Sequence, residues 1–112
     1  MTKKETEKKI EQRLVAKVKE LNGLCYKFTS PAHAGVPDRI CVFPTGELYF
    51  VECKAPYGRL SKLQQLEVQA LKNRRCKVLI VYSESDVDNF IERMRNIIAI
   101  NREAEAKGWM AK

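Results

Sequence analysis

Long apolar runs are missing from this 112-residue chain. No stretch approaches the roughly 18 to 20 apolar residues that a membrane-spanning helix needs, so no membrane association is expected. The opening Met1-Thr2-Lys3-Lys4-Glu5 leads into more charge and not into an apolar segment, so no secretory signal is expected either. Paired cysteines are missing too. Cys25, Cys41, Cys53 and Cys76 form no C-x-x-C, which predicts reduced, mostly buried thiols in an intracellular protein and makes a zinc site a poor fit. With one histidine in the chain, there is no obvious Ser-His or Cys-His pair for covalent catalysis. Repeats, low-complexity tracts and linkers are absent, and the length predicts one domain, residues 1–112, with a core over about 7–100 and a polar tail over about 101–112.

Acidic charge is in short supply. Fourteen Asp and Glu stand against 21 Lys and Arg, a formal net charge of +7. The excess is concentrated: between Lys54 and Lys77 there are seven basic residues and only Glu67 to oppose them. The segment Ser83 to Glu92 runs the other way, with Glu84, Asp86, Asp88 and Glu92. A basic middle on a small domain suggests a polyanionic partner, most simply nucleic acid, against the plainer reading of a solvated Lys-rich surface.

Apolar periodicity organises the rest. Ile10, Leu14, Val18 and Leu21 predict a helix over Lys3 to Leu21, closed by Asn22-Gly23. Leu24 to Phe28 reads as a strand, and Thr29 to Pro37 as a loop punctuated by two prolines and a glycine. Arg39 to Phe43 and Glu47 to Lys54 read as strands joined in a hairpin by Pro44-Thr45-Gly46. Ala55-Pro56-Tyr57-Gly58 breaks the chain and leaves a loop that could sit over a substrate. Ser61 with Gln64 has capping-box spacing and opens a helix with Leu63, Leu66, Ala70 and Leu71 on one face. Cys76 to Tyr82 reads as a buried strand. Ser85 with Asp88 predicts a cap for a last helix over Asp86 to Ile100, carrying Val87, Phe90, Ile91, Met94, Ile97 and Ile98. Trp109 and Met110 interrupt the polar tail. The order α-β-β-β-α-β-α predicts an α/β fold, a small mixed β-sheet flanked by helices.

The chemistry is concentrated in Gly35-Val36-Pro37-Asp38 and Val51-Glu52-Cys53-Lys54. Side chains on a strand alternate faces, so Leu48, Phe50, Glu52 and Lys54 share one face, and Tyr49, Val51 and Cys53 the other. Residue 45 is the midpoint of 38 and 52, so an antiparallel hairpin turning there sets Asp38 beside Glu52. Two carboxylates at adjacent strand ends make a hard, oxygen-rich site of the kind Mg²⁺ favours, with retained waters and phosphate oxygens completing the shell. The Lys54 ammonium beside them would stabilise charge on a phosphate, a set suited to phosphodiester hydrolysis. An E-x-K triplet alone is common by chance; with P-D on the preceding strand of a hairpin in a basic domain it is far more specific.

P-D-x(13)-E-C-K resembles the PD-(D/E)XK nuclease superfamily. G-V-P-D-R-I (Gly35 to Ile40), F-V-E-C-K-A-P (Phe50 to Pro56) and G-R-L-S-K-L-Q (Gly58 to Gln64) are similar to its VRR-NUC branch. The resemblance covers about Ile10 to Val87. It implies a restriction-endonuclease-like αβββαβ core, here with a C-terminal helix, and Mg²⁺- or Mn²⁺-dependent endonucleolytic DNA cleavage. For single-domain members, often phage-encoded, it implies a homodimer acting on branched DNA such as four-way Holliday junctions. It assigns metal to Asp38 and Glu52, the lysine role to Lys54, a backbone carbonyl ligand to Cys53 and a site role to Gln64, whose capping role is the plainer alternative. It also implies a first-helix glutamate, for which Glu11 fits the spacing better than Glu7. Lys27, Ser30, His33, Arg39 and Arg59 are possible phosphate contacts. Ala32-His33-Ala34 is less basic than the resemblance leads one to expect, so His33 is either a phosphate or proton contact or a plain loop residue. The last helix, apolar on several sides, is a hint of dimerisation. The rival readings are a non-cleaving DNA-binding or accessory module, and a nuclease for other DNA or RNA structures.

Overall fold

The structure, a computed structural model, describes residues 5–108. Lys3 and Lys4, expected in the first helix, and Trp109 and Met110 lie outside the described residues. Helix α1 spans Glu7–Glu20, one residue after Thr6, whose side chain accepts a hydrogen bond from the Lys9 amide and so satisfies an orphan donor of the first turn. Leu21 caps its other end, and Asn22 turns the chain out in a left-handed conformation (φ 63°). Strands β1 (Leu24–Lys27), β2 (Arg39–Val42) and β3 (Leu48–Cys53) follow, then α2 (Lys62–Asn73), β4 (Val78–Val81) and α3 (Glu84–Ala106). Element order and type agree with the sequence reading, and the strands are each one to three residues shorter.

The sheet runs β1-β2-β3-β4, antiparallel across the first two pairs and parallel across β3 and β4. A parallel neighbour requires a crossover, which α2 supplies. Period-two alternation then sorts the side chains. Cys41, Val51, Cys53 and Val81 point into one dry core with Ile10, Leu14 and Val18 of α1 and Val87, Phe90, Ile91, Met94 and Ile98 of α3. At roughly 1.5 to 3 kcal/mol for each large apolar side chain buried, this stripe is what docks α1 and α3 on the sheet. The opposite face carries Leu24, Tyr26, Leu48, Phe50 and Glu52 and is covered less completely. Val68 of α2 is buried, yet Leu24, Tyr26, Leu63 and Leu66 remain more than half or about half exposed.

Two expectations need correction. The cap of α3 is Ser83, whose hydroxyl accepts from the Asp86 amide, and not Ser85, which lies inside the helix. The Asp86 carboxylate accepts from the Tyr82 amide and not from Ser83, so the serine cap sits two residues earlier than expected and no reciprocal capping box closes it. Second, α3 continues six residues past Ile100, because Arg102, Glu103, Ala104 and Glu105 are good helix formers and Ala104 is buried. Most of the apolar breadth of α3 is buried within the chain: Val87, Phe90, Ile91, Met94 and Ile98 all belong to the core, Ile97 packs against it, and Phe90 packs edge-on against Phe43 and Tyr49, while Ile100 stays exposed.

The cysteines are free thiols. Cys41 and Cys53 are buried, Cys25 and Cys76 half-buried, and burial pushes the Cys53 thiol up to about 12. No helix among the described residues is long and apolar enough to cross a membrane.

Candidate active site

The hairpin register decides the site. Phe43 and Glu47 close the turn through the Phe43 amide and the Glu47 carbonyl at 2.9 Å, with Gly46 in a left-handed conformation (φ 87°). From there the pairs run Val42 with Leu48 to Arg39 with Val51, so Asp38 comes opposite Glu52. The backbone of Asp38 faces the Glu52 carboxylate and weakly favours its charged form, and the Asp38 carbonyl accepts from the Phe28 amide at 2.7 Å. The Lys54 amide donates to the Val81 carbonyl at 2.9 Å, so strand pairing persists to Lys54 and sets its side chain on the face of Glu52.

Glu52 is only 7% exposed and has no ion-pair partner within 4.0 Å among the described residues. Its carboxyl is pushed up to about 7, first by burial and then by the charge of Asp38; Lys54 pulls it down and Glu7 adds to the rise. A buried acid facing two other acids needs a cation or a proton.

Helix α1 brings its glutamates to the same end. Glu11 lies 3.3 Å from the Arg39 guanidinium and 4.0 Å from the Lys27 ammonium, and Lys27 is also 4.0 Å from Asp38. Lys27 thus stands between two carboxylates that would otherwise repel. The Arg39 Nε is buried with no hydrogen-bond partner. Lys27 and Arg39, expected as phosphate contacts, are therefore partnered with the acidic cluster in the free chain. Glu7, one turn before Glu11, is the α1 glutamate whose charge is felt at Glu52.

The remaining expected residues are placed as follows. Gln64 forms the capping box with Ser61: its Oε1 accepts from the Ser61 amide at 2.8 Å, and its own amide donates to the Ser61 hydroxyl at 3.1 Å. The Cys53 thiol turns into the core, away from Glu52 and Lys54. His33 contacts the Glu67 carboxylate of α2, and its amide donates to the Ser30 carbonyl at 3.1 Å. Arg59 has no ion-pair partner among the described residues. Gly35 explains why this loop lies against α2. Its φ is +94°, and a Cβ there would stand 2.6 Å from the Leu63 carbonyl oxygen. Only glycine allows that approach at that φ, so Gly35 packs the loop leading to Asp38 on the first turn of α2.

Sequence reasoning did not anticipate the position of Lys27 between Glu11 and Asp38, the Glu67 partner of His33, or the left-handed φ of Tyr57 (66°). The first two depend on a long loop whose path has no local signal. The third had no signal either: proline at the second position fits type I and type II turns alike, and a tyrosine at the third argues against a positive φ.

The donors fit a hard divalent cation. Two carboxylates on neighbouring strands, a backbone carbonyl at Cys53 and a third carboxylate on α1 would offer it oxygen donors, and Glu52 is held in an environment that disfavours its charge unless a cation is present. Among the described residues no three His, Cys, Asp or Glu side chains already form a cage for an ion. Mg²⁺ does not demand one, since it keeps several waters and takes one or two carboxylates together with substrate phosphate.

An αβββαβ core with this P-D and E-x-K pair at the end of its hairpin defines a class, the small α/β nuclease domains. The VRR-NUC domain family matches residues 3–85, and the chain belongs to it. A protein of Acyrthosiphon pisum secondary endosymbiont phage 1, named "Putative nuclease p44", is 52% identical over 78 residues, 70% of this chain and 84% of that protein. A solved structure described as a VRR_NUC domain superposes with a TM-score of 0.72 at 28% identity, covering 77% of this chain and 94% of that one.

Proposed function

We propose that this chain is an endonuclease that hydrolyses phosphodiester bonds of DNA with Mg²⁺ or Mn²⁺ and selects branched DNA, four-way junctions in particular. The observation that carries the reading is the pairing of Asp38 with the buried, unpaired Glu52 beside Lys54. Two carboxylates facing a polyanion are a liability in a pure binding module; they make sense when a cation stands between them and the phosphate. A divalent ion there supplies Lewis acidity at the phosphate and a more acidic attacking water. Asp38, Glu52, Glu11 and the Cys53 carbonyl are the ligands in this reading. The Lys54 ammonium orients the water and offsets charge developing on the phosphate. Gln64, at the N-terminus of α2, presents its amide from the capping box. In this reading Arg59, Ser30 and His33 hold flanking phosphates, His33 on release from Glu67, and Lys27 and Arg39 do so once their acidic partners are otherwise engaged. The phage origin of the 52% identical relative supports an intracellular, phage-type setting.

Paired cuts across a junction require two sites, so the reading includes a homodimer. The surface that supports it is the less covered face of the sheet, where Leu24, Tyr26 and Leu48 stand exposed, together with Leu63 and Leu66 of α2. Light scattering at micromolar concentration is expected to give twice the mass of 12.9 kDa; a monomer would remove the simplest basis for paired cuts.

The test is a panel of labelled four-way junction, flap, nicked, single-stranded and duplex DNA, plus RNA, with Mg²⁺, Mn²⁺ or EDTA. Junction cleavage with either metal, none in EDTA, and a loss of at least roughly 10²- to 10³-fold in Asp38→Ala with binding kept or tightened are the expected results. Binding without cutting in every lane would make the chain an accessory module.

A further inference from the structure

Ala55-Pro56-Tyr57-Gly58 follows Lys54 directly. The Gly58 amide donates to the Ala55 carbonyl at 2.8 Å, Pro56 holds the second position and Tyr57 the third with φ 66°. This is a type II turn, whose third position demands a positive φ and is ordinarily Gly or Asn. A tyrosine there is disfavoured by the clash of its Cβ with the backbone. The fold gives nothing back, because the Tyr57 side chain is fully exposed. Strained residues of this kind cluster at ligand clamps.

The turn is pinned. A Cβ on Gly58 would meet the Ala55 oxygen at 2.8 Å and the Lys54 Cβ at 3.4 Å, so the turn is folded back against the catalytic lysine. Its far side is tied by the Gln65 side-chain amide, which donates to the Leu60 carbonyl at 3.1 Å. Tyr57, Gly58, Arg59, Leu60, Gln65 and Tyr82 line an open cleft of about 470 Å³. Two aromatic rings, a guanidinium without a carboxylate partner among the described residues and a side-chain amide are the groups that bind single-stranded nucleic acid: faces for stacking, charge for phosphate, an amide for a base edge.

We propose that Tyr57 is a base-stacking residue, and that the cleft between Tyr57 and Tyr82 takes an unpaired nucleobase of the substrate strand beside the bond aligned at Lys54, with Arg59 on an adjoining phosphate. This rests on the nuclease reading and gives it a source of selectivity. Bases inside a continuous duplex are already stacked on one another, whereas a branch point, flap or bulge offers one that is free.

The experiment compares two labelled DNAs by anisotropy in the Asp38→Ala background: a continuous duplex and the same duplex with one bulged 2-aminopurine. The expected result is a preference for the bulged DNA that falls about tenfold in Tyr57→Ala and is kept in Tyr57→Phe and Tyr57→Trp. Quenching of 2-aminopurine on binding should be present with any aromatic residue at 57 and lost with Ala. Tyr57→Gly should lose the preference while its thermal midpoint rises or holds, so the loss is not misfolding. An unchanged preference and unchanged quenching in Tyr57→Ala, or an equal weakening on both DNAs, would overturn the inference while leaving the nuclease reading intact, provided the parent chain still cuts with Mg²⁺. A parent chain that neither binds nor cuts any DNA would overturn both.

Discussion

Strand β3 has an acid and a lysine near each of its ends, and the two ends treat them differently. At the hairpin end Glu47 meets Lys77 at 2.9 Å, and Lys77 also stands 5.3 Å over the ring of Tyr49. That carboxylate and ammonium are partly exposed and satisfied. At the other end Glu52 is buried, Lys54 forms no ion pair among the described residues, and the nearest charged neighbours of Glu52 include two further carboxylates. A structural charge is paired where water can still reach it. A buried acid held against its own kind is costly to the fold, and the cost makes sense where a cation or substrate completes the site.

Glu52→Gln should break this contrast most visibly. The carboxyl is pushed up to about 7 in the fold against an ordinary 4.5. Metal-free, the parent is therefore most stable with respect to this group below about pH 4.5, loses stability between pH 4.5 and 7 as the unfolded chain ionises first, and levels off above 7. The whole change is about 3 kcal/mol. Glutamine carries no such dependence, so urea melts in EDTA should show Glu52→Gln level with the parent at pH 4 and more stable by up to about 3 kcal/mol at pH 8. Junction cleavage should be lost in the same variant. A stability difference that is flat across pH would show that Glu52 is not the strained end of the strand.

The glycines of the two ends offer a second contrast. Gly46 and Gly35 both have positive φ, 87° and 94°, but a Cβ at Gly46 meets nothing within 4 Å whereas one at Gly35 strikes the backbone of α2. Gly46→Ala should cost about 1 kcal/mol, the left-handed penalty alone. Gly35→Ala should cost about 2 to 3 kcal/mol, because helix backbone has to move, and it should also weaken cleavage by shifting the loop that carries Asp38. Chemical denaturation of both variants checks the difference; equal costs would mean the loop does not rest on α2.

These contrasts separate what the sequence makes legible from what it does not. The pairing of Asp38 with Glu52 follows from local facts: a turn at Pro44-Thr45-Gly46, two apolar runs and a side-chain period of two. Antiparallel geometry leaves no other register once the turn is placed. The placement of Lys27 between Glu11 and Asp38 brings together three elements across a loop of about ten residues, and no periodicity reports on it. His33 and Glu67 are likewise 34 positions apart. Helix ends were legible to within a few residues. Ser83 and Ser85 are both serines three before an acid, and only the position of the preceding strand decides which one caps. The breadth of apolar residues on α3 does not by itself say what covers it, because a helix packed on both a sheet and another helix needs a wide stripe, just as one that meets a second subunit does.

The paired end supplies the smallest expected effect. Lys77 is half exposed and Glu47 about a quarter exposed, so their attraction competes with water and with the entropy of holding a long side chain still. Lys77→Ala should cost less than about 1 kcal/mol, the contact with Tyr49 included, and 1 M salt should erase most of the difference from the parent. Cleavage should persist, since nothing at that end reaches Asp38 or Lys54. A loss near 3 kcal/mol, or a loss of cutting, would mean that the hairpin end is coupled to the site through β3. The strand would then have one electrostatic system instead of two, and the contrast between satisfied and unsatisfied acids would no longer mark where the chemistry is.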